Sequence, residues 1–174
     1  TASTMAAMSE SLGIALPGNT AIPAVHSGRN ALAENAGLRI VEAVNQGLRP
    51  SKLLTIDAFE NAIRTLHAIG GSTNAIIHLI AIAGRVGIDL SLDVFDSLSR
   101  CTPVLLNIKP SGSKLMEDFY NAGGLSAVLK ELGDTLNLDA LSVTGKSLGE
   151  NISDASARDR DVIRNLDNPI NKEG

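Results

Sequence analysis

A helix-rich α/β domain of the α/β/α kind, with a few short strands, is the fold that this sequence predicts. Three observations carry that expectation. Apolar residues recur at helical spacing through roughly the first hundred residues. Beyond them two short β-type runs, 104–108 (VLLNI) and 140–143 (ALSV), alternate with shorter helical stretches, which favours a mixed architecture over a helical bundle. The 174 residues are 44% hydrophobic yet hold only three Phe, one Tyr and no Trp, so the core is expected to be Ala, Ile, Leu and Val. That length suits one domain, or a large piece of one, with a real core.

Residues 1–13 (TASTMAAMSESLG) read as a helix with Ser3 or Thr4 as N-cap, Met5, Met8 and Leu12 on one stripe, and Gly13 as the stop. PGNTAIPAVHSG follows as loop. A second helix is expected over 30–46, capped by Ser27 or Asn30, with Leu32, Ala36, Ile40, Val41 and Val44 facing inward and Gly47 ending it. RPSKLL is a connector. Thr55 then caps a third helix that carries Asp57 and Glu60 in its first turn, where the helix dipole favours acids, and turns Ala58, Phe59, Ala62, Ile63, Leu66 and Ile69 inward. After Gly70-Gly71 a fourth helix, 73–86, is apolar nearly all round and is expected inside the molecule. Ser91 caps a fifth, ending at Leu98. Gly123 and Gly124 separate two further short helices, KLMEDFYNAGG and LSAVLKELGD. Residues 153–174 are polar and read as a linker or tail.

Composition excludes several function classes. Fifteen basic residues are scattered among nineteen acids for a net charge of -4, which leaves no basic face for nucleic acid. The longest apolar run, 75–83, is interrupted by His78 and is far short of the roughly 20 residues that a membrane span requires. One cysteine, Cys101, permits neither an internal disulfide nor a cysteine cluster, fits a cytoplasmic setting, and reads as a small buried apolar residue. The start at Thr1, inside a helical pattern, reads as cut.

Chemistry is most concentrated at GGSTN, residues 70–74. Two glycines allow close backbone approach, and Ser72 or Thr73 can cap the next helix. Its first N–H groups, those of Thr73, Asn74 and Ala75, could then receive a carboxylate or phosphate. The other reading is a helical corner whose polar residues only cap. His78 shares a helix face with Asn74, four residues earlier, and is either a pocket residue or a satisfied core histidine. His26 and His67 lack polar neighbours at helical spacing. TGKS, 144–147, imitates the end of a phosphate-binding loop, but Ala140 stands where the first glycine is needed, so a turn is the better reading.

Five stretches resemble, in order, one known family. TASTMAAMSESLGIALPGNTAIPA, RPSKLLTIDAFENAIRTLHAIGGSTNAIIHLIAIA, KPSGSKLMEDFYNAGGLSAVLKEL, LSVTGKSLGENI and VIRNLDNPI are similar to the middle of the dihydroxy-acid and sugar-acid dehydratases, the family of dihydroxy-acid dehydratase and phosphogluconate dehydratase. The similarity covers almost the entire chain. It implies that residues 1–152 are part of a dehydratase N-terminal domain and that 153–174 lead toward a C-terminal domain. The reaction implied is loss of water from a 2,3-dihydroxy acid to give a 2-keto acid.

The resemblance further implies an iron-sulfur cluster as the Lewis acid that takes the departing 3-hydroxyl, and a Mg²⁺ ion that orients the substrate carboxylate and 2-hydroxyl. The ligands of both, and a serine base, would lie outside this segment, so no catalytic residue and no metal ligand is expected within it and the segment alone is expected to be inactive. Residues 1–5 and 72–74 are expected to line the pocket, with Ser3, Thr4, Ser72, Thr73, Asn74 and His78 as the substrate-binding candidates. TASTM and KLMEDFYNAGG resemble the sugar-acid members, of pentonate or arabinonate type, more than dihydroxy-acid dehydratase, which remains the alternative. The expected partners are a small sugar acid or dihydroxy acid, the remaining parts of the same enzyme, and further copies in a homo-oligomer. A non-catalytic packing or oligomerisation module is the alternative of another class.

Overall fold

The apolar spacing of residues 56–69 builds the centre of the molecule. The computed structural model describes residues 2–174. Among them the helices run α1 (Ala2–Ser11), α2 (Gly28–Asn45), α3 (Pro50–Leu53), α4 (Ile56–Ala68), α5 (Asn74–Arg85), α6 (Leu92–Ser99), α7 (Met116–Asn121), α8 (Gly124–Leu132) and α9 (Leu148–Asn151), with a 3₁₀ turn at Gly133–Thr135. The Thr55 hydroxyl starts α4 by accepting the Ala58 N–H at 3.3 Å. Ala58, Phe59, Ala62, Ile63, Leu66 and Ile69 are all buried, as their spacing requires, and α4 packs on α1, α5, α6 and α8. Its polar positions are satisfied inside. Asn61, fully buried, accepts the Asn137 N–H at 2.7 Å and donates to the Asn137 carbonyl at 3.0 Å, which fastens the chain after α8 to the central helix.

Several expectations need correction. The runs 104–108 and 140–143 are not strands. Among the described residues β-pairing is confined to isolated bridges, Val104 with Asn171, Leu106 with Ile163, Ile108 with Lys114 and Leu141 with Ser147. The α/β/α layering is thus met in its helices, which make up about half of the chain, and not in a sheet. Leu105 and Leu106 are adjacent and both buried, so this segment is wrapped by protein on both sides rather than laid into a sheet with one face out.

The stripe on α2 does not face inward. Only Ala43 of that helix is buried, and Val44 is 70% exposed. Two arginines hold α2 to the body. Arg29 donates to the carbonyls of Asn19 and Ile22, and Arg39 donates to the Val143 carbonyl. Helix α5 is only half inside: Ala75, Leu79 and Ala83 form the buried stripe, while Ile77 is 69% exposed. Cys101 is exposed, since it follows α6 at the surface, where its thiol lies against the Leu98 carbonyl at 3.4 Å.

Residues 153–174 lie along the core. Val162 and Ile163 are buried, the Arg164 N–H donates to the Leu105 carbonyl at 2.9 Å, and the Ile170 N–H donates to the Val104 carbonyl at 2.8 Å. The two isolated residues Val162 and Ile163 supply the apolar anchor that the polar surroundings conceal.

Candidate functional site

Segments from α1, from the corner after α4 and from the stretch 106–119 surround an open cavity of about 430 Å³. Ser3, Thr4 and Ala7 contribute the α1 wall, and residues 69–73 the corner between α4 and α5. Leu106, Ile108, Lys109, Pro110 and Ser111 form the third side, and Met116 and Phe119 of α7 close it, with Thr20 at one edge. Thr4, Ala7, Thr20, Ile69, Leu106 and Phe119 are buried and make its floor, whereas Ser3, Gly70, Thr73, Lys109, Pro110 and Ser111 are exposed and make its rim.

The double glycine is what lets these walls meet. A Cβ on Gly71 would lie 2.6 Å from Leu66 Cδ1 and 2.9 Å from Thr4 Cγ2, so α1 could not come this close to the corner with any side chain there. Gly70 has φ +58°, and a Cβ on it would stand 3.1 Å from the Ser111 hydroxyl. Across this contact the Ser72 N–H donates to the Thr4 hydroxyl at 3.2 Å.

The start of α5 is closed by its own residues. Ser72 accepts the Asn74 N–H through its hydroxyl at 3.4 Å and the Ala75 N–H through its carbonyl at 2.9 Å. Two of the three N–H groups expected to be open to an anion are therefore engaged, and the helix terminus serves as a cap.

Two further devices hold the cavity in shape. Buried Glu10 accepts the N–H of Gly18 at 2.8 Å, the N–H of Thr20 at 2.9 Å and the Thr20 hydroxyl at 2.7 Å, which fixes Thr20 at the cavity edge. Burial pushes the Glu10 carboxyl above its ordinary range, outweighing these three bonds, each of which favours the charged form. On the opposite side Asn107 accepts the Ser113 N–H at 2.9 Å and donates to the Asp161 carbonyl at 3.0 Å. The loop between closes through Gly112, whose N–H donates to the Ile108 carbonyl at 2.7 Å. A Cβ on that glycine would fall 2.3 Å from Asn107 Oδ1.

Of the six residues singled out in the sequence, Ser3, Thr4, Ser72 and Thr73 line this one cavity. Asn74 and His78 do not, and both are exposed on α5. Thr1, the first of residues 1–5, lies outside the described residues. Lys109 and Ser111 also line the cavity, and the sequence marks them only as part of KPSGS, a Pro- and Gly-bearing loop with a cation and two hydroxyls. His26 is exposed, with its ring 5.2 Å from that of Tyr120. His67 is half-buried, and Nε2 has no hydrogen-bond partner among the described residues. Burial holds this imidazole below its ordinary range, against a backbone hydrogen bond with Phe95. TGKS is a self-satisfied turn: Ser142 and Thr144 share a hydrogen bond of 2.8 Å and both bond Asn151, leaving no cradle for phosphates.

The donor set does not fit the metal groups that the resemblance implies. Iron-sulfur clusters take cysteine thiolates and Mg²⁺ takes carboxylates. The cavity lining contains neither, and among the described residues no three His, Cys, Asp or Glu side chains gather into a ligand set. What the lining offers is hydroxyl groups, one ammonium and an apolar floor, which can bind and orient a small hydroxylated molecule but not withdraw its electrons. No helix among the described residues is long and apolar enough to cross a membrane.

Comparison with known proteins gives the same motifs a common origin. Residues 1–151 match the family described as the dihydroxy-acid/6-phosphogluconate dehydratase N-terminal region. A dihydroxy-acid dehydratase of Caldicellulosiruptor saccharolyticus is 52% identical over all of this chain and 32% of its own length. An L-arabonate dehydratase of Azospirillum brasilense is 55% identical over 97% of this chain and 30% of its own length. An L-arabinonate dehydratase of Rhizobium leguminosarum bv. trifolii is 53% identical over 95% of this chain and 29% of its own length. The chain thus spans about a third of the length of the curated relatives it matches. Half of its residues agree with theirs along nearly its whole extent, and on that ground the chain belongs to the dihydroxy-acid/6-phosphogluconate dehydratase family.

Proposed function

We propose that the chain forms one wall of the substrate cavity of a hydro-lyase that converts a sugar acid to a 2-keto-3-deoxy acid. The observation that carries this reading is the meeting of TAST, GGST and KPSGS, three of the family-like motifs, around a single cavity. The chemistry is a loss of water: the C2 proton and the C3 hydroxyl depart, and the enol that remains becomes the 2-keto acid.

The lining divides that work. Its hydroxyls at Ser3, Thr4, Ser72, Thr73 and Ser111 match the hydroxyls of a polyol acid, and the floor of Ala7, Ile69, Leu106 and Phe119 keeps water from the reacting carbons. No carboxylate, imidazole or thiol lines the cavity among the described residues, so proton removal and activation of the leaving hydroxide belong to groups supplied elsewhere in the complete protein. An iron-sulfur cluster and Mg²⁺ held by those other parts are included in this proposal. The exposed apolar faces of α2 and α5 support packing against further parts of the same enzyme or a second copy, since one contiguous apolar helix face left in water is unfavourable.

Dihydroxy-acid dehydratase activity is the second reading, favoured by the 52% identical relative of that name. Assay of the full-length protein, purified without oxygen, for 2-keto acid formation from L-arabinonate and from 2,3-dihydroxy-3-methylbutanoate separates the two. Faster turnover of the sugar acid is expected; faster turnover of the branched acid would support the second reading, and turnover of neither would overturn both.

A further inference from the structure

We infer that Glu10 is a positioning residue for the cavity: its buried carboxyl gathers Gly18 and Thr20 onto α1 and so sets the Thr20 edge against which a substrate binds. This rests on the proposed dehydratase reading, and it gives a task to an acid that the reaction proposed there does not use.

Place in the fold is the first ground. Glu10 does not line the cavity itself. It lies buried one turn beyond Ala7 on α1, the helix whose other end brings Ser3 and Thr4 to the cavity. Thr4 ties that helix to the corner at Ser72, and Glu10 ties it to Thr20. Two cavity edges distant in sequence are thereby referred to one helix.

Chemistry is the second. One carboxyl collects three donors: the Gly18 N–H on Oε1 at 2.8 Å, and the Thr20 N–H at 2.9 Å and hydroxyl at 2.7 Å on Oε2. A single oxygen therefore fixes both the backbone and the side chain of Thr20. Gly18, at φ +87°, makes the turn that brings the two N–H groups to the same acid. A side-chain amide cannot do this, because its NH2 would face an N–H donor in either orientation.

Cost is the third. None of the ion pairs among the described residues uses Glu10, and it is the one ionisable residue lining the small void beside it. Burying a carboxyl without a counter-charge is unfavourable. An apolar side chain would fill the same space without that cost; what it would not supply is the hold on Thr20.

The test reads kcat and KM separately on the full-length enzyme, with whichever of L-arabinonate and 2,3-dihydroxy-3-methylbutanoate it turns over faster. Wild type, Glu10→Gln, Thr20→Val and the double variant are compared, each with its melting temperature. Glu10→Gln is expected to raise KM by about 5- to 10-fold, the equivalent of one hydrogen bond, with kcat little changed because the reacting groups lie elsewhere. Since Glu10 acts through Thr20, the double variant is expected to raise KM no further than the larger single change. An unchanged KM, whatever the melting temperature, would overturn the inference, because a purely structural role predicts it. KM effects that multiply in the double variant would overturn it as well, since the two residues would then act separately. If Glu10→Gln does not fold, Glu10→Asp, which keeps the charge and draws the oxygens back by one methylene, is judged by the same rise in KM. A wild-type enzyme that turns over neither acid would instead remove the parent reading, and this is seen before any variant is made.

Discussion

The Ser72 N–H donates to the buried Thr4 hydroxyl across 3.2 Å, joining the first helix to the corner after the central one although the two residues stand 68 positions apart. The bond sits at the cavity floor.

Thr4→Val keeps the shape of the side chain and removes the acceptor. It is expected to destabilise the protein by about 1–3 kcal/mol, the usual consequence of deleting one partner of a buried hydrogen bond. Thr4→Ser, which retains the hydroxyl, is expected to cost less. Urea denaturation of both variants checks the order.

Gly71→Ala tests the close approach itself. The new methyl would meet Leu66 Cδ1 at 2.6 Å and Thr4 Cγ2 at 2.9 Å, and both neighbours are buried and held. Overpacking of this kind costs about 1–3 kcal/mol. A melting temperature equal to wild type would show that α1 can shift away without loss.

Asn61→Ala removes both hydrogen bonds that fix Asn137 to α4. With the Asn137 N–H left without its partner and the Asn137 carbonyl keeping only the Ala140 N–H, we expect a loss of about 1–3 kcal/mol, measured by chemical denaturation. Asn61→Leu fills the space and is expected to be no better, since it restores neither bond.

Glu10 gives a pH dependence with a definite sign. Its folded carboxyl is raised by burial, so the folded protein holds the proton more tightly than the unfolded chain. The stabilisation that protonation gives is complete below the unfolded pKa and is lost as pH rises through the folded one. The stability of wild type relative to Glu10→Gln is therefore expected to fall as pH rises from the ordinary carboxylate range through the raised folded pKa, and denaturation curves at several pH values would show it. A difference independent of pH would mean that the three hydrogen bonds offset burial in full.

Helix positions were legible because they depend on local spacing. The inward residues of α4 and the Thr55 cap follow from a period of 3.6 and one hydroxyl, and Gly123, at φ +121°, divides α7 from α8. What covers a stripe was not legible. The apolar positions of α2 say which face is apolar, but whether it is covered depends on contacts that periodicity does not encode, and within these residues it is open. Residues 104–108 have strand-like composition, yet pairing requires a partner of matching register, and the partners at 163 and 171 bridge once each.

The cavity was half legible for the same reason. Ser72 and Thr73 are prominent beside two glycines, and Ser3 and Thr4 entered through the family resemblance. Lys109 and Ser111 sit in a turn whose importance comes only from its position opposite Gly70. The misplacement of His78 shows the converse: sharing a helix face with Asn74 did not bring it to the cavity, because that face of α5 is turned to solvent.

The most direct measurement is a crystal structure of the full-length protein with a bound sugar acid. The account predicts the ligand between Thr4, Ser72 and Ser111. A ligand bound away from these residues, with the cavity filled by other protein, would contradict it.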